Sequence, residues 1–290
     1  MATLKQIQKR IGAVKSTQQI TKAMKMVAAA KFRKAQESVI RARPFAREMQ
    51  RTLGRLAAIH TEVQEHPLVV KRENIGKEDL FVLTSDRGLC GSFNSNVLRT
   101  VEHYLLDNQD HFTGIFLSTI GKKGFMYFKR QGVNIRQNVD DLLDKPVYSR
   151  AVELAEDLAE RYTSGEVDRV TLVFNEFRSA VQQTVVFKTL LPLEPPQAGE
   201  DDLFVDYVYE PDKPALLDRI VRRYLANQLF MDVLESVASE HGARMTAMEN
   251  ATENATEMIQ DLTLVYNKAR QAAITRELMD IVGGAEAQQS

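Results

Sequence analysis

The sequence is short of the features that mark membrane-spanning and secreted proteins. Cys90 is the only cysteine among 290 residues, so an intramolecular disulfide bond is impossible and a reducing compartment is favoured. We expect this thiol to be a small buried filler rather than a nucleophile. No run of about 18 apolar residues is present, which argues against a transmembrane helix. The N-terminus lacks the apolar segment of a secretory signal, although its acid-poor, amphipathic character superficially suits a mitochondrial presequence.

Recognisable catalytic, cofactor and metal motifs are also missing. Residues 85–94 (SDRGLCGSFN) lie between a predicted strand and a predicted helix but match neither common phosphate-loop pattern. We therefore expect a tight turn held by local hydrogen bonds. Residues 121–124 (GKKG) are interpreted as an ordinary basic loop, and the five histidines show no metal-site spacing. The sequence predicts no catalytic residue, no cofactor and no metal.

The chain does have a strong charge asymmetry, which its net charge of −1 hides. Residues 1–60 carry 14 Lys and Arg against two acidic residues. Residues 61–212 carry 16 basic against 26 acidic residues, and residues 213–290 carry 8 against 11. A basic arm usually faces nucleic acid, an anionic surface or an acidic protein groove. We favour a solvated or protein-facing helix, because few aromatic residues are interleaved with the basic ones.

Apolar residues recur in steps of three and four at both ends of the chain. Such stripes predict two long helices that pack as an antiparallel coiled coil. The first stripe, with thirteen apolar members of sixteen, is Leu4, Ile7, Ile11, Val14, Gln18, Thr21, Lys25, Ala28, Phe32, Ala35, Val39, Ala42, Ala46, Met49, Leu53 and Leu56. The second stripe, with fourteen of seventeen, is Leu217, Ile220, Tyr224, Asn227, Met231, Leu234, Ala238, His241, Met245, Met248, Thr252, Ala255, Ile259, Leu262, Tyr266, Ala269 and Ala273.

The predicted helices are unusually long. At 1.5 Å per residue they span roughly 80 and 100 Å, too long for a globule of this size to bury. Thr3 is the expected N-cap of the first helix, and Pro44 is expected to kink it. Pro214 suits the first turn of the second helix, and the pair Gly283 and Gly284 is expected to end it.

Between the two stripes, β-rich runs alternate with helical patterns, which predicts a mainly parallel sheet covered by helices. The expected strands are residues 80–84, 114–120, 133–135, 170–174, 184–187 and 203–209, and the expected helices are residues 95–108, 121–131 and 147–163. The predicted fold is therefore α/β plus coiled coil, with a central Rossmann-like domain. The predicted organisation is an N-terminal coiled-coil helix (1–60), an α/β foot domain (61–212) and a C-terminal coiled-coil helix (213–290).

Several of these segments resemble the gamma subunit of F-type ATP synthases. The resemblance is carried by residues 4–36, which include TKAMKMVAAAK, by 239–255 (SEHGARMTAMENATENA), by 266–278 (YNKARQAAITREL) and by the turns at 85–94 and 121–124. It implies a non-catalytic rotor shaft whose paired ends pass through a hexamer of alternating alpha and beta subunits. The α/β domain would form a foot with the epsilon subunit on the membrane-embedded c-ring. Ring rotation, driven by a proton or other ion gradient, would turn the shaft and couple it to ATP synthesis at the beta subunits.

The resemblance also implies roles for particular residues. Arg270, Gln271 and Thr275 match the patch that engages the catch loops of the beta subunits. Tyr207 and Tyr209 fall in the segment that resembles the foot near epsilon and the ring. These residues are expected to be partner contacts rather than members of a catalytic site.

A further group of residues is implied to affect coupling within the coiled coil: Met24, Lys25 and Arg244. Because the resemblance begins at Leu4, it replaces the presequence interpretation, and the chain is expected to be bacterial-like. The expected location is peripheral, on the cytoplasmic face of the bacterial inner membrane.

Two alternatives of other classes remain open at this stage. A coiled-coil nucleic-acid binder would use the basic arm and would bind DNA or RNA in a salt-sensitive manner. A nucleotide-dependent enzyme would use the turn at residues 85–94 and would bind or turn over nucleotide. The rotor interpretation predicts neither behaviour, and it predicts co-purification with a nucleotide-hydrolysing hexamer.

Overall fold

The computed structural model describes eleven elements in two compact units. The described residues are 3–108, 111–140, 142–144, 146–177, 183–197, 209–210 and 212–289, with side chains omitted at 280 and 283–289. The elements are α1 (Leu4–Ile59), α2 (Thr61–Gln64), β1 (Lys77–Leu83), α3 (Phe93–Asp107), β2 (Gly114–Ile120), α4 (Lys122–Arg130), β3 (Ile135–Val139), α5 (Tyr148–Thr163), β4 (Arg169–Phe177), β5 (Gln183–Leu191) and α6 (Lys213–Gln289). One unit comprises Met1–Ala28 with Met245–Ser290, and the other comprises Ala29–Arg244. No helix in the described part of the chain is both long enough and apolar enough to cross a bilayer.

The first helix begins where its capping signal predicts. The Thr3 backbone N–H donates to Gln6 Oε1 at 2.9 Å, and the Gln6 N–H donates to Thr3 Oγ1 at 3.4 Å. This reciprocal arrangement is a capping box, which satisfies backbone donors that have no partner within the helix. From there α1 runs for 56 residues and continues on both sides of Pro44.

The last helix is longer than the sequence predicts. Pro214 lies in its first turn, as expected, and the Ala215 N–H donates to Asp212 Oδ1 at 2.9 Å. The helix runs for 77 residues and passes through Gly283 and Gly284, so the expected stop at these glycines is wrong. Glycine lowers helix stability by about 1 kcal/mol relative to alanine, but it leaves the helical hydrogen bonds intact.

In the unit formed by the two chain ends, the helices pack antiparallel. The seam is closed by small and medium apolar side chains such as Ile7, Ala28 and Ala255, each less than a tenth exposed. Polar pairs also cross it, and their residue numbers rise on one helix as they fall on the other. These pairs are Gln18 with Thr256 at 2.7 Å, Thr21 with Thr252 at 2.8 Å, and Lys25 with Glu249 at 2.6 Å. The three polar interruptions of the first stripe are therefore matched positions of the seam.

The second unit is built on a five-stranded sheet in the order β3-β2-β1-β4-β5. The first four strands are parallel, and β5 runs antiparallel to β4. Strand β3 begins later than expected, because the Val133 N–H still bonds to the Phe128 carbonyl at the end of α4. Of the strand expected at residues 203–209, positions 203–208 lie outside the described residues.

Alternation along the central strand separates two hydrophobic cores. Leu80 and Val82 of β1 point to the face covered by α3 and α4. Phe81 and Leu83 point to the opposite face, which α5 covers together with parts of α1 and α6. The mainly parallel sheet and the helices on both faces confirm the predicted α/β architecture.

The sheet has a topological switch point between β1 and β4. From β1 the chain moves outward to β2 and β3 on one side, and it returns to place β4 on the other side. In open α/β sheets this point, outside the carboxyl ends of the strands, is where ligands usually bind. The Gly-containing turn at residues 85–94 follows β1 directly and so lies at this point.

Candidate partner-contact surfaces

The turn at residues 85–94 is held by its own side chains, as the sequence predicts. Ser85 Oγ donates to the Arg87 carbonyl at 2.6 Å. The Ser85 backbone N–H donates to Asn94 Oδ1 at 2.9 Å, and Asn94 Nδ2 donates to Cys90 Sγ at 3.2 Å. Leu89 adopts a positive φ of 62°, a conformation that non-glycine residues keep only when their surroundings enforce it.

The glycines of residues 121–124 allow a helix to approach the end of β1 closely. A Cβ atom on Gly121, which has a φ of 100°, would lie 2.2 Å from the Thr84 carbonyl oxygen. A Cβ atom on Gly124 would lie 2.9 Å from Thr84 Oγ1, to which the Gly124 N–H donates at 2.8 Å. The Lys122 N–H also donates to Asp86 Oδ1 at 3.0 Å, which joins the two turns. The motif is thus a packing device.

Arg244 of α6 inserts its guanidinium group into the carbonyl side of the 85–94 turn. Its Nη2 donates to the Arg87 carbonyl at 3.0 Å, and its Nε and Nη2 both lie 3.3 Å from the Gly88 carbonyl. Its Nη1 donates to His241 Nδ1 at 3.1 Å. Because a guanidinium group cannot accept a hydrogen bond, His241 must be the acceptor and therefore neutral. Burial, together with Arg244 and Lys31, lowers the pKa of His241 to about 4, which agrees with this assignment.

This geometry disfavours the nucleotide-dependent enzyme. Phosphate sites at switch points present backbone N–H groups to an anion, usually at the start of the following helix. Here the turn presents the carbonyl oxygens of Arg87 and Gly88, which are hydrogen-bond acceptors, and Arg244 of the same chain occupies them. The turn therefore binds the positively charged guanidinium group of Arg244 rather than an anion.

Glu240 completes the arrangement around Arg244, and it was not among the residues that the sequence singled out. Its Oε1 lies 2.6 Å from Arg244 Nη2, and the two side chains are only 10% and 12% exposed. Burial raises the pKa of Glu240 and Asp86 adds to this effect, whereas Arg244 and Lys31 lower it. The spacing of Glu240 four residues before Arg244 on a helix could have predicted that the two side chains pair. The spacing could not have predicted that the pair is buried.

Cys90 is covered by the same contact, as its expected role as a buried filler requires. The residue is 2% exposed and packs in a small cluster with Phe93 and Ala243. Burial raises the pKa of the Cys90 thiol, so the fraction of reactive thiolate is small.

The residues implied to affect coupling fall into two different environments. Lys25 pairs with Glu249 across the helix seam, and these side chains are 38% and 42% exposed. Met24 is half-buried beside that pair. Arg244 belongs instead to the unit that contains the sheet.

The residues implied to contact the beta subunits are all exposed on α6. These residues are Arg270, Gln271 and Thr275. Thr275 Oγ1 donates to the Gln271 carbonyl at 3.0 Å, an ordinary bond within the helix that leaves the exposed face unchanged. All three side chains are thus on the solvent-exposed surface of the helix.

Tyr209 contacts the chain's own core, and Tyr207 lies outside the described residues. The Tyr209 hydroxyl lies 2.5 Å from His60 Nε2, and the two rings meet edge to face at a centroid distance of 5.6 Å. His60 is 7% exposed, so this contact ties the chain just before α6 to the end of α1.

Comparison with known proteins identifies close relatives along the whole chain. The ATP synthase family matches residues 3–288. The chain is 50% identical over 289 residues to the ATP synthase gamma chain of Anaeromyxobacter dehalogenans strain 2CP-1, with 99% of both chains covered. It is 47% identical over 286 residues to the gamma chain of Geotalea daltonii, again with 99% of each covered.

Solved structures of similar fold include two from mitochondrial ATP synthases. The central stalk and c-ring structure from Tetrahymena thermophila contains a chain that is 26% identical, with a TM-score of 0.61 over 80% of this chain and 99% of that one. A chain of the Euglena gracilis enzyme has a TM-score of 0.67 over 98% and 94% of the two chains, and its 20% identity supports the fold alone.

Proposed function

The chain belongs to the ATP synthase family, among its gamma chains, and from this membership we propose that it is the central rotor shaft of an ion-translocating enzyme. The single observation that carries the proposal is the identity of about half of all residues, over 99% of both chains, with an ATP synthase gamma chain. The similar chain in the Tetrahymena central stalk adds support. The basic first helix is then interpreted as a protein-facing surface rather than a nucleic-acid arm.

In this proposal the paired ends of the chain transmit torque. A packed antiparallel helix pair resists bending better than a single helix, and residues 1–28 and 245–290 supply such a pair. The strongly basic N-terminal segment and the mildly acidic C-terminal one give the shaft unlike faces. Unlike faces are needed to place chemically identical neighbours in different states. Long-range charge attraction also tolerates sliding better than directional hydrogen bonds do.

The shaft is proposed to be a non-catalytic subunit. Its partners would be the alpha and beta subunits of the catalytic hexamer, the epsilon subunit and the membrane-embedded c-ring. In this division of labour, segments 1–60 and 213–290 form the shaft and 61–212 form the foot, with Tyr207 and Tyr209 near epsilon or the ring. The enzyme would lie peripherally on the cytoplasmic face of the bacterial inner membrane. The use of Arg244 to fill the switch-point turn supports a non-catalytic role.

The contacts with the beta subunits are proposed to be made by Arg270, Gln271 and Thr275. An arginine fork recognises carboxylates in a loop, and a neighbouring amide and hydroxyl add directional bonds. All three side chains are exposed on one stretch of α6, which supports the assignment. Met24, Lys25 and Arg244 are proposed to act on coupling from within the chain.

The double variant Arg270→Ala with Gln271→Ala tests this proposal. We expect it to weaken coupling or assembly while the fold stays intact, because both side chains are exposed and neither supports the core. The measurement is ATP-driven proton pumping relative to ATP hydrolysis in membrane vesicles, together with the yield of assembled enzyme and the helix content of the purified chain.

A matched control is available at the end of α4. Arg130→Ala with Gln131→Ala removes the same two kinds of side chain, also adjacent and exposed. This control is expected to leave pumping and assembly unchanged. Global unfolding of the Arg270 and Gln271 variant, or equal effects of both double variants, would contradict the contact assignment.

A further inference from the structure

The contact between Glu240, Arg244 and the turn at residues 85–94 has features that a surface ion pair does not have. An exposed pair at this helical spacing contributes little to stability. Here both side chains are about nine-tenths buried, so loss of either one leaves an uncompensated charge in the interior. The pair is therefore sensitive to substitution at either end.

The side chain of Arg244 donates hydrogen bonds to backbone carbonyls of the turn, and this geometry requires a guanidinium group. Its planar fork reaches the carbonyls of Arg87 and Gly88 while Nη1 reaches His241. A lysine in its place has one compact ammonium group and cannot span these acceptors. The contact thus depends on the shape of the cation as well as on its charge.

The turn itself needs an external support. Leu89 is 62% exposed and is held at a positive φ, so the backbone there is strained without a compensating burial of its side chain. Inside the turn, Ser85 and Asn94 supply hydrogen bonds. On the outside, Arg244 supplies the bonds to the Arg87 and Gly88 carbonyls.

Closure of the turn onto α6 also covers the thiol of Cys90. Ala243, the neighbour of Arg244, packs against Cys90 and Phe93, so the same stretch of helix that binds the carbonyls shields the sulfur. Any displacement of the turn from α6 removes that cover. Because Cys90 is the only cysteine of the chain, a thiol reagent labels this position alone.

From this geometry we propose that Glu240 and Arg244 form a latch that fixes the 85–94 turn to α6, with Glu240 as a positioning residue that acts through Arg244. Glu240 faces Arg244 on α6, Lys31 on α1 and Asp86 in the turn. It neutralises the guanidinium group and holds it in line with the two carbonyls. In a rotor, the latch makes the turn and the adjoining part of α6 move as one body. That mechanical consequence rests on the proposed function, whereas the latch itself does not.

The latch is tested by the rate at which Cys90 of the purified full-length chain reacts with a maleimide. We expect Glu240→Gln to raise the rate by about tenfold and Arg244→Ala by more, because each loss increases the population of the open turn. Arg244→Lys is expected to raise it as well, because the charge remains but the fork is lost. Circular dichroism checks that each variant remains folded.

The two principal variants separate opening of the turn from a change in the chemistry of the thiol. Glu240 raises the pKa of Cys90 and Arg244 lowers it, although burial has the largest effect. A purely electrostatic influence therefore predicts faster labelling for Glu240→Gln and slower labelling for Arg244→Ala. The latch predicts faster labelling for both, so slower labelling of Arg244→Ala would overturn it.

The matched control is an acid–arginine pair at the same spacing earlier on α6. Asp218 and Arg222 pair at 2.9 Å, but their side chains are 46% and 36% exposed and do not contact the turn. Asp218→Asn is expected to leave the labelling rate of Cys90 within about twofold of the parent chain, as surface substitutions usually do. Equal rates for Asp218→Asn, Glu240→Gln and Arg244→Ala would overturn the latch.

The mechanical consequence is measured separately, in the assembled enzyme. Glu240→Gln is expected to lower proton pumping per ATP hydrolysed, whereas Asp218→Asn leaves it unchanged. Faster labelling with unchanged pumping would overturn the mechanical role and leave the latch standing. Neither outcome bears on the rotor assignment, which rests on the identity with a gamma chain, or on the contact assignment, which the Arg270 and Gln271 variant tests.

Discussion

The two compact units of this chain use apolar residues in opposite ways. In the unit that contains the sheet, the central strands bury nearly all of theirs, and Phe81 is 0% exposed. In the unit formed by the chain ends, Ile20, Leu264 and Ile281 are 60%, 68% and 68% exposed, while the polar Thr21 is 8% exposed. A helix pair with so much apolar surface outside its seam has capacity for further contacts. The comparison teaches that the sheet unit buries its apolar side chains within itself, whereas the helix-pair unit leaves several of them exposed on its surface.

One charged group from each unit shows a related difference in burial. In the sheet unit, Asp79 is completely buried. Both of its carboxylate oxygens have partners, because Oδ1 accepts from Ser118 and Oδ2 accepts from Arg136 and Arg161. The helix-pair unit instead keeps its cross-seam ion pair more than one third exposed. Buried networks depend strongly on every member, whereas exposed pairs contribute little. Substitutions in the two units are therefore expected to differ in size even when their chemistry is the same.

The largest expected effect on stability comes from changing a buried isoleucine to alanine, and the same change can be made in each unit. Ile120→Ala in the sheet core, where the side chain is 0% exposed, is expected to lower the free energy of unfolding by about 4 kcal/mol. Ile7→Ala in the helix seam is expected to cost about 2 kcal/mol, because solvent borders the seam and the helices can close over the gap. The measurement is hydrogen exchange of the amides in β1 and β2 and in the first turns of α1.

Local readouts are needed because two units do not guarantee a single unfolding transition. Ile120→Ala should accelerate exchange in the sheet, and Ile7→Ala should accelerate exchange near the start of α1. Equal losses for the two substitutions would remove the distinction between a closed core and an open seam.

A smaller change, this time an increase in stability, is expected for a substitution at Asp232. This carboxylate of the sheet unit has one oxygen that accepts no hydrogen bond. Asp232 Oδ1 pairs with Lys188 at 2.7 Å, but the buried Oδ2 has no hydrogen-bond partner. Burial raises the pKa of Asp232 to about 6 against the attraction of Lys188, and Glu235 and Glu176 add to the rise. Asp232→Asn is therefore expected to stabilise the chain at pH 8 by about 2 kcal/mol.

The size of this effect depends on pH in a defined way, while its sign stays the same. Because the folded pKa lies above the unfolded one, the cost of the charged carboxylate is absent below about pH 4, grows up to about pH 6 and is constant above. Thermal unfolding of the parent and of Asp232→Asn across this range should give a difference that grows with pH and then levels off. A difference that is independent of pH would contradict the assignment.

Asp168 provides a control, because its pKa is lowered in the folded chain whereas that of Asp232 is raised. Although burial alone raises its pKa, the N–H groups of Lys77 and Gly76 and the Arg72 side chain lower it overall. Asp168→Asn should therefore destabilise the chain at neutral pH, and that loss should fade as pH falls through the lowered pKa.

Much of this architecture is readable from the sequence, because periodicity and capping act locally. The start of α1 follows from Thr3 and Gln6, and β2 occupies the predicted residues Gly114–Ile120. The end of α6 was missed at Gly283, because glycine disfavours a helix without forbidding one. The antiparallel direction of β5 was not read from the sequence, because it depends on long-range pairing rather than on local pattern.

The contacts at the switch point were only partly readable. The composition of the 85–94 turn predicted its internal hydrogen bonds, which depend on residues close in sequence. Its occupant, Arg244, lies more than 150 residues away, and no spacing rule connects the two. Similarly, Gln18, Thr21 and Lys25 looked like defects of the heptad stripe, because their partners on α6 could not be assigned before the register was known.

The smallest effect is expected for the ion pair of Lys25 and Glu249, which tests the open-seam side of the comparison. A double-mutant cycle with Lys25→Ala and Glu249→Ala should give a coupling energy of about 0.5 kcal/mol that decreases in high salt, because both side chains are partly solvated. The neighbouring pair of Thr21 and Thr252, each changed to Val, is the matched control, because its hydrogen bond carries no net charge and should be insensitive to salt. A coupling energy above about 2 kcal/mol for the ion pair would mean that the seam behaves like a desolvated interior. The helix pair would then be closed like the sheet core, and the contrast between the two units would fail.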